Sequence, residues 1–171
     1  MMKYFLVEVD GQYTAPTLLG WFGAIDKKTL AGKGPHQIGR HLLFPVESDM
    51  QMVFTDVITV PCFMVSEMVR NVMRKYDSRI YFIRIISLDK KNRQSMAYYI
   101  PYLDPIPCIF RKDRDKAGKP CIEVEKKNVE GRVIAEITDG YYSHVIMRMD
   151  LVESILRRQS VGIGLREIQM I

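Results

Sequence analysis

The chain has 171 residues, of which 47% are hydrophobic and 26% are charged, as in an average globular domain. This composition excludes a disordered chain, a collagen-like repeat and a low-complexity scaffold. The length predicts a single domain spanning residues 1–171, at about 150 residues per domain. A domain of this size buries about two-thirds of its unfolded surface and needs no disulfide or metal to fold.

The positive charge is concentrated in the middle of the chain. The formal net charge is +5, but residues 61–120 alone carry 13 basic and 6 acidic residues. Two clusters supply this excess: Lys90, Lys91 and Arg93, and then Arg111, Lys112, Arg114, Lys116 and Lys119. They fit either solvated turns between strands or a basic patch that attracts an acidic partner, protein or nucleic acid. We take these eight residues as the candidate partner-binding set.

The first 60 residues predict strands separated by a long loop. Lys3–Val9 alternates apolar and acidic residues in part and predicts a first strand. Gly11–Arg40 has no clean period, so it predicts a loop with a short helix near Pro16–Phe22. His41–Val46 and Met50–Val60 are rich in Phe, Val, Ile and Thr and predict strands.

Two aromatic residues, Trp21 and Phe22, lie inside the long loop. Large aromatic side chains contribute much of the buried area of a domain. We therefore expect both rings to be buried in the core.

Residues 61–103 predict a helix followed by a β-hairpin. Ser66 is a good N-cap for a helix over Glu67–Tyr76. Apolar residues recur there at three- and four-residue spacing and form one stripe: Met68, Val69, Val72, Met73 and Tyr76. Arg79–Leu88 and Gln94–Leu103 are strand-like on either side of a polar turn.

The remaining elements follow a proline-rich break at Asp104–Pro107. Cys108–Lys112 and Cys121–Glu125 predict a second hairpin, and Arg132–Thr138 and Ser143–Met149 predict a third. A second helix is expected over Leu151–Gln159, with Leu151, Val152, Ile155 and Leu156 buried, and a last strand over Ile163–Met170.

The two predicted helices share a pattern at an offset of 83 residues. Residues 67–75 and 150–158 both read acid, two apolar, two polar, two apolar and two basic residues. The acid at the start and the basic pair at the end suit the helix macrodipole. Either any amphipathic surface helix has this pattern, or the chain holds two related helix–strand units packed on one sheet.

The three cysteines indicate a reducing compartment. Their number is odd, they are widely spaced, and Cys62 and Cys108 lie in apolar runs, as buried thiols do. The longest uncharged stretch, Gly11–Ile25, is interrupted by polar residues and falls short of the ~20 apolar residues of a membrane-spanning helix. We therefore expect a cytoplasmic protein without a membrane segment.

No catalytic or metal-binding motif is present. The sequence lacks a P-loop, an H-E-x-x-H pair, a G-x-S-x-G elbow and a spaced Cys/His quartet. His36 and His41 are five residues apart, which is poor spacing for one metal ion, and His144 lies in a predicted strand. The sequence thus predicts no enzyme, no cofactor and no metal.

The segment Pro61-Cys62-Phe63-Met64-Val65-Ser66-Glu67, with the helix and strand that follow, resembles a family of immunity proteins from bacterial polymorphic toxin systems. That family was first catalogued as a domain of unknown function. Tyr98–Leu103 is similar to its next strand, and Leu151–Ile168 is similar to its second helix, glycine and final strand. Met149-Asp150 replaces the Ser-Glu start that the family has at the second helix.

The resemblance implies a non-enzymatic protein that binds and occludes a cognate toxin encoded beside it. It supplies no binding residues. The alternative is a basic nucleic-acid-binding module that uses the clusters within residues 90–119, although Asp113 and Asp115 interrupt the second cluster. For the fold we expect an α+β domain with a largely antiparallel sheet and two principal helices packed on it.

Overall fold

The computed structural model describes residues 2–38 and 42–171, and of residues 35 and 110–112 it describes the backbone alone. The fold is α+β, as predicted, with about 40% of the chain in strands. The two longest helices of the described residues are α2 and α4, and the full set is α1 (Lys27–Gly32), α2 (Glu67–Tyr76), α3 (Lys126–Val129) and α4 (Met149–Leu156). A 3₁₀ turn lies at Pro35–Gln37.

The strands form three sheets rather than the single sheet that we expected. In the first sheet the order is β2-β5-β6-β4-β3, where β2 is Leu42–Pro45, β3 is Val57–Ile58, β4 is Met64–Ser66, β5 is Tyr81–Asp89 and β6 is Gln94–Tyr102. β2 runs parallel to β5, and the other neighbours are antiparallel. The predicted hairpin of β5 and β6 is confirmed.

The second sheet has the order β12-β1-β11-β10-β7, where β1 is Tyr4–Val9, β7 is Pro105–Pro107, β10 is Ile134–Thr138, β11 is Ser143–Arg148 and β12 is Ile163–Glu167. The third sheet has the order β13-β9-β8, where β8 is Ile109–Arg114, β9 is Pro120–Val124 and β13 is Gln169–Met170. The predicted hairpins β8–β9 and β10–β11 are both present.

Helix α2 forms as its sequence predicts. The Ser66 hydroxyl accepts a hydrogen bond from the backbone N–H of Val69, 3.4 Å away, which caps the first turn. Val69, Val72 and Met73 are buried in the core as expected, whereas Met68, which we expected to be buried with them, is only half-buried, as is Tyr76.

Helix α4 ends earlier than predicted. Leu151, Val152 and Ile155 are buried, but Leu156 is 46% exposed and the expectation that it is buried is wrong. At 3.6 residues per turn, Leu156 lies about 140° around the axis from Leu151, at the edge of the apolar stripe. It is also the last helical residue.

The loop at residues 11–38 differs from the expectation. Residues 17–19 are extended rather than helical, because the N–H of Leu19 donates to the carbonyl of Pro45 and the carbonyl of Thr17 accepts from Glu47. The helix of this segment is α1, which begins after Asp26, whose carboxylate accepts from the N–H of Thr29.

Only one of the two loop aromatics lies against the core. Trp21 packs at its edge, whereas Phe22 is 86% exposed, so the expectation for Phe22 is wrong. Residues 22–25 form a turn, and at its other end Ile25 is fully buried.

Three strand predictions are also corrected. In Met50–Val60 only Val57–Ile58 is a strand, because residues 49–52 form a turn closed by the Asp49 carboxylate. Pro105–Pro107 is strand β7, paired in parallel with β10, rather than a break alone. The predicted last strand is divided at Ile168 into β12 and β13, which pair with β1 and β9.

Most of the strands and both long helices fall into two units with the same spatial arrangement, although the central strand comes last along the chain in unit A and first in unit B. Unit A is residues 42–102, with β2 to β6 and α2, and unit B is β9 to β13 with α4 and β1. In each unit a strand–helix–strand crossover places its two strands on either side of a third, β6 in unit A and β1 in unit B. β9 runs parallel to β13 in unit B as β2 runs parallel to β5 in unit A.

Equivalent tyrosines make the same hydrogen bond in both units. Tyr98 of the central strand β6 donates to the carbonyl of Thr55, two residues before β3, at 2.8 Å. Tyr4 of the central strand β1 donates to the carbonyl of Arg132, two residues before β10, at 2.6 Å. Both phenol rings are buried.

The residues that precede the two helices are also equivalent. The N–H of Ser66 donates to the carbonyl of Asp56 at 2.9 Å, and the N–H of Arg148 donates to the carbonyl of Val133 at 2.8 Å. These matches support the interpretation of two related helix–strand units over that of two generic amphipathic helices. The units build separate sheets, which differs from the single sheet expected.

One core joins the two units. α2 and α4 pack against each other, and apolar residues of both helices, of β4 and β6 in unit A and of β1, β10 and β11 in unit B form one buried cluster. The hydroxyl of Tyr76 on α2 also donates to the carbonyl of Asp150 on α4 at 3.0 Å. Among the described residues, no helix is long and apolar enough to cross a membrane.

Candidate binding surface

A cleft of about 470 Å³ lies between the two units, where the chain passes from β6 to β7. We call it the inter-unit cleft. Unit A contributes residues 62–63, Ile83 and residues 100–102, unit B contributes residues of β10, β11 and the turn between them, and α1 borders one side.

Apolar side chains form much of the cleft wall. Ile83 and Ile100 are buried residues of the first sheet, and Val145 is a buried residue of β11. Phe63 and Leu103 are half-buried and also pack against the shared core. The wall therefore presents apolar surface from both units to whatever enters the cleft.

A rigid turn presents tyrosines at the cleft mouth. Tyr141 lines the cleft and is 91% exposed, and its neighbour Tyr142 is also exposed. The Asp139 carboxylate accepts from the N–H groups of Tyr141 and Tyr142 at 2.8 and 2.7 Å, and these bonds hold the pKa of Asp139 below its usual value. Gly140 has φ +95°, a backbone conformation that residues other than glycine rarely adopt.

Two carboxylates and one ammonium group line the same cleft. Glu136 of β10 is half-buried and its carboxylate accepts a hydrogen bond from the Ser143 hydroxyl. Pro105 of β7 stands opposite Glu136 in the sheet, and the exposed Asp104, which precedes Pro105 in the chain, also lines the cleft. Lys27 of α1 borders the cleft and is exposed.

Cys62 and His144 also line the cleft, and burial shifts the pKa of each group in the direction that favours its neutral form. Cys62 is buried, and desolvation together with the charge of Glu136 raises the pKa of its thiol to about 12, so it is protonated at neutral pH. Burial, with the charges of Arg166 and Lys27, lowers the pKa of His144, against the opposing charges of Glu8 and Asp139. Its imidazole is therefore predominantly neutral at pH 7.

The predicted basic residues lie on two hairpins of different sheets. Lys90, Lys91 and Arg93 are exposed at the turn between β5 and β6. Arg114, Lys116 and Lys119 are exposed on the hairpin of β8 and β9, and the side chains of Arg111 and Lys112 lie outside the described residues. None of the described side chains of the two clusters lines the inter-unit cleft.

Neighbouring acids neutralise part of the second cluster. Lys119 forms an ion pair with Glu8 of β1. Arg114 donates to the carbonyl of Gly118 within its own hairpin, and the intervening Asp115 lies 3.6 Å from the guanidinium of Arg166. Part of the charge counted in the sequence is therefore used to hold this hairpin against β1 and β12.

The two histidines that the structure describes, His36 and His144, belong to no group placed to hold a metal ion. Among residues 2–38 and 42–171, no group of three or more His, Cys, Asp or Glu residues is placed to hold a metal ion. The ring of His36 makes an edge contact with the ring of Tyr81, 5.0 Å away, and His41 lies outside the described residues. The cysteines are free thiols.

Sequence reasoning found the basic clusters but missed the cleft. The available signal was Asp139-Gly140, a turn dipeptide, followed at once by two tyrosines. Tyrosine after a tight turn is exposed unless tertiary structure covers it. The other cleft residues are far apart in sequence, and no local pattern brings them together.

Comparisons with known proteins give no assignment. The chain matches no protein-family model, and it has no match among curated proteins.

Proposed function

We propose that this is a non-enzymatic, cytoplasmic binding protein, specifically an immunity protein that neutralises a cognate bacterial toxin by covering its functional surface. Two independent arguments support the proposal. One is the resemblance of residues 61–67, and of the elements that follow, to an immunity-protein family. The other is the inter-unit cleft with its tyrosine-bearing rim.

The tyrosines at the mouth of the cleft are the structural feature that most favours a protein partner. Tyrosine is enriched at the centres of protein interfaces because it offers a large, rigid contact area together with a hydrogen-bonding hydroxyl. Tyr141 stands on a turn whose backbone is held by hydrogen bonds to the Asp139 carboxylate, so little backbone entropy is lost when a partner contacts it. Tyr102 lies on the opposite unit at the end of β6 and is 37% exposed.

The basic clusters have a secondary role in this proposal. Exposed cations outside an interface core mainly raise the rate of association with an acidic partner and have little effect on the rate of dissociation. We therefore keep the eight predicted residues as a steering surface. We assign the buried contacts to the inter-unit cleft.

The experiment pairs this protein with the toxin domain encoded in the adjacent reading frame. We expect co-expression to restore growth, and purified proteins to form a stable complex. Tyr141→Ala and Tyr102→Ala should each weaken binding about 30-fold, which corresponds to the ~2 kcal/mol lost when an interface hot spot is removed. Tyr13→Ala is the matched control, since Tyr13 is exposed outside the cleft.

Two results would contradict the proposal. One is that the protein neither binds nor neutralises the adjacent toxin. The other is that both cleft variants bind as tightly as the Tyr13→Ala control, which would remove the cleft from the interface.

A further inference from the structure

Resting on the proposed function, we infer that the inter-unit cleft receives an arginine side chain from a projecting loop of the protein partner. The carboxylates of Glu136 and Asp104 would bind the guanidinium, and the rings of Tyr102 and Tyr141 would flank it. All four residues line the cleft.

Charge complementarity is the first argument. The whole chain has a net charge of +5, yet the cleft holds two carboxylates against one ammonium group, Lys27. The neutral form of His144 adds no charge at pH 7. The cleft is thus an acidic position on a basic protein, and its partner group is cationic.

The surroundings of Glu136 are the second argument. An ionised carboxylate accepts about four hydrogen bonds. Within the described residues the Ser143 hydroxyl supplies one of them, and the side chain is half-buried against the apolar cleft wall. A guanidinium supplies a parallel pair of N–H donors that match a carboxylate, which a lysine ammonium cannot do.

The chain itself shows this recognition at another place. The guanidinium of Arg70 lies 4.2 Å from the centroid of the Tyr99 ring, and one of its nitrogens is 3.8 Å from the Glu67 carboxylate. Arginine between a tyrosine ring and a carboxylate gains both cation–π attraction and an ion pair. Among the described residues, the inter-unit cleft presents the same two kinds of group without an arginine.

The exposed rim of the cleft favours a loop of a protein over a free small molecule. Its volume of about 470 Å³ lies within the range of about 300–1,000 Å³ typical of sites that bury a small group. The exposed ring of Tyr141 extends the contact surface beyond the cleft mouth. When the arginine is part of a loop, its side chain enters the cleft while the loop backbone contacts the exposed ring of Tyr141.

The test uses short peptides as probes and nuclear magnetic resonance as the measurement. Acetyl-Gly-Arg-Gly-amide is titrated against the protein, and the amide signals of Tyr141 and Ser143 are followed. We expect millimolar binding, at least tenfold tighter than that of the same peptide with citrulline or lysine in place of arginine. Glu136→Gln should weaken arginine binding at least tenfold, whereas Glu130→Gln, a change at an exposed carboxylate outside the cleft, should leave it unchanged.

A second variant guards against a folding defect at Glu136. Tyr141→Ala alters a side chain that is almost fully exposed, and it should also weaken binding of the arginine peptide. Equal binding of the citrulline peptide, or full binding by folded Glu136→Gln, would overturn the inference.

The inference and the proposed function fail separately. If Tyr141→Ala abolishes toxin binding while Glu136→Gln leaves it intact, the immunity function stands and the arginine inference is wrong. If arginine binding depends on Glu136 but the adjacent toxin is not bound, the immunity function is wrong and the cleft serves another arginine-bearing partner.

Discussion

Tyr98 and Tyr4 show how single residues connect strands with the loops that precede other strands. Each is buried on the central strand of its unit, and each hydroxyl donates to a backbone carbonyl two residues before another strand of that unit. Burial is the main cause that raises the pKa of both phenols, so both stay protonated and remain donors. The two hydrogen bonds thus hold equivalent places in the two units.

We predict that Tyr98→Phe and Tyr4→Phe each lower the free energy of unfolding by about 1–3 kcal/mol. Each change leaves a buried carbonyl without its phenol donor while keeping the ring in place. The measurement is the midpoint of urea denaturation, with the exposed Tyr102→Phe as the control. A midpoint for Tyr98→Phe equal to that of the control would show that the hydrogen bond to Thr55 contributes nothing to stability.

Helices α2 and α4 illustrate the element scale because their sequences are alike and their ends differ. Ser66 caps α2 with its side chain, whereas Arg148 at the start of α4 has no side-chain cap and instead pairs with Asp150 in the first turn. That ion pair holds the pKa of Asp150 below its usual value. Both helices nevertheless bury their apolar stripes in one cluster between the units.

Two leucines of α4 provide a matched comparison. We expect Leu151→Ala to destabilise the protein by about 2–5 kcal/mol, because it removes buried methylene groups and leaves a cavity. Leu156→Ala, at the exposed end of the same helix, should change stability by less than about 0.5 kcal/mol. Thermal unfolding of both variants measures the difference, and similar losses at the two sites would contradict the observed end of the helix.

At the scale of the whole molecule, the described residues of the basic clusters lie apart from the inter-unit cleft. The basic residues lie on two hairpins of different sheets, and the ion pair between Lys119 and Glu8 reduces the positive field of one of them. Nucleic-acid binding needs a continuous track of free cations along the phosphates, with aromatic rings for stacking in single-stranded sites. Tyr141 and Tyr142 lie instead on the turn between β10 and β11.

We therefore predict that mixed-sequence DNA and RNA bind weakly at low salt and not measurably at physiological salt. The steep salt dependence follows from the release of counterions when phosphates are neutralised. A mobility-shift titration at the two salt concentrations measures this. Micromolar binding at physiological salt, abolished by charge reversal at Arg111, Lys112 and Arg114, would favour the nucleic-acid-binding alternative.

Local sequence determined the elements whose signals lie within a few residues. The bounds of α2 follow from the Ser66 cap and the apolar spacing, and the hairpin of β5 and β6 follows from two strand-like runs around a polar turn. The echo between residues 67–75 and 150–158 also pointed to the two units that the structure contains. These features depend on backbone hydrogen bonds and side-chain periods that neighbouring residues set.

Only the tertiary structure decided the features that depend on distant partners. β7 is a strand because β10 lies beside it, and residues 17–19 are extended because β2 and the residues after it offer unpaired backbone groups there. The inter-unit cleft joins Tyr102, Glu136 and Tyr141 from two units, although no local pattern links them. The pairing of strands and the packing of the two units bring these side chains together. Sequence patterns could not predict this, because the residues around each side chain carry no information about a partner that is distant in the chain.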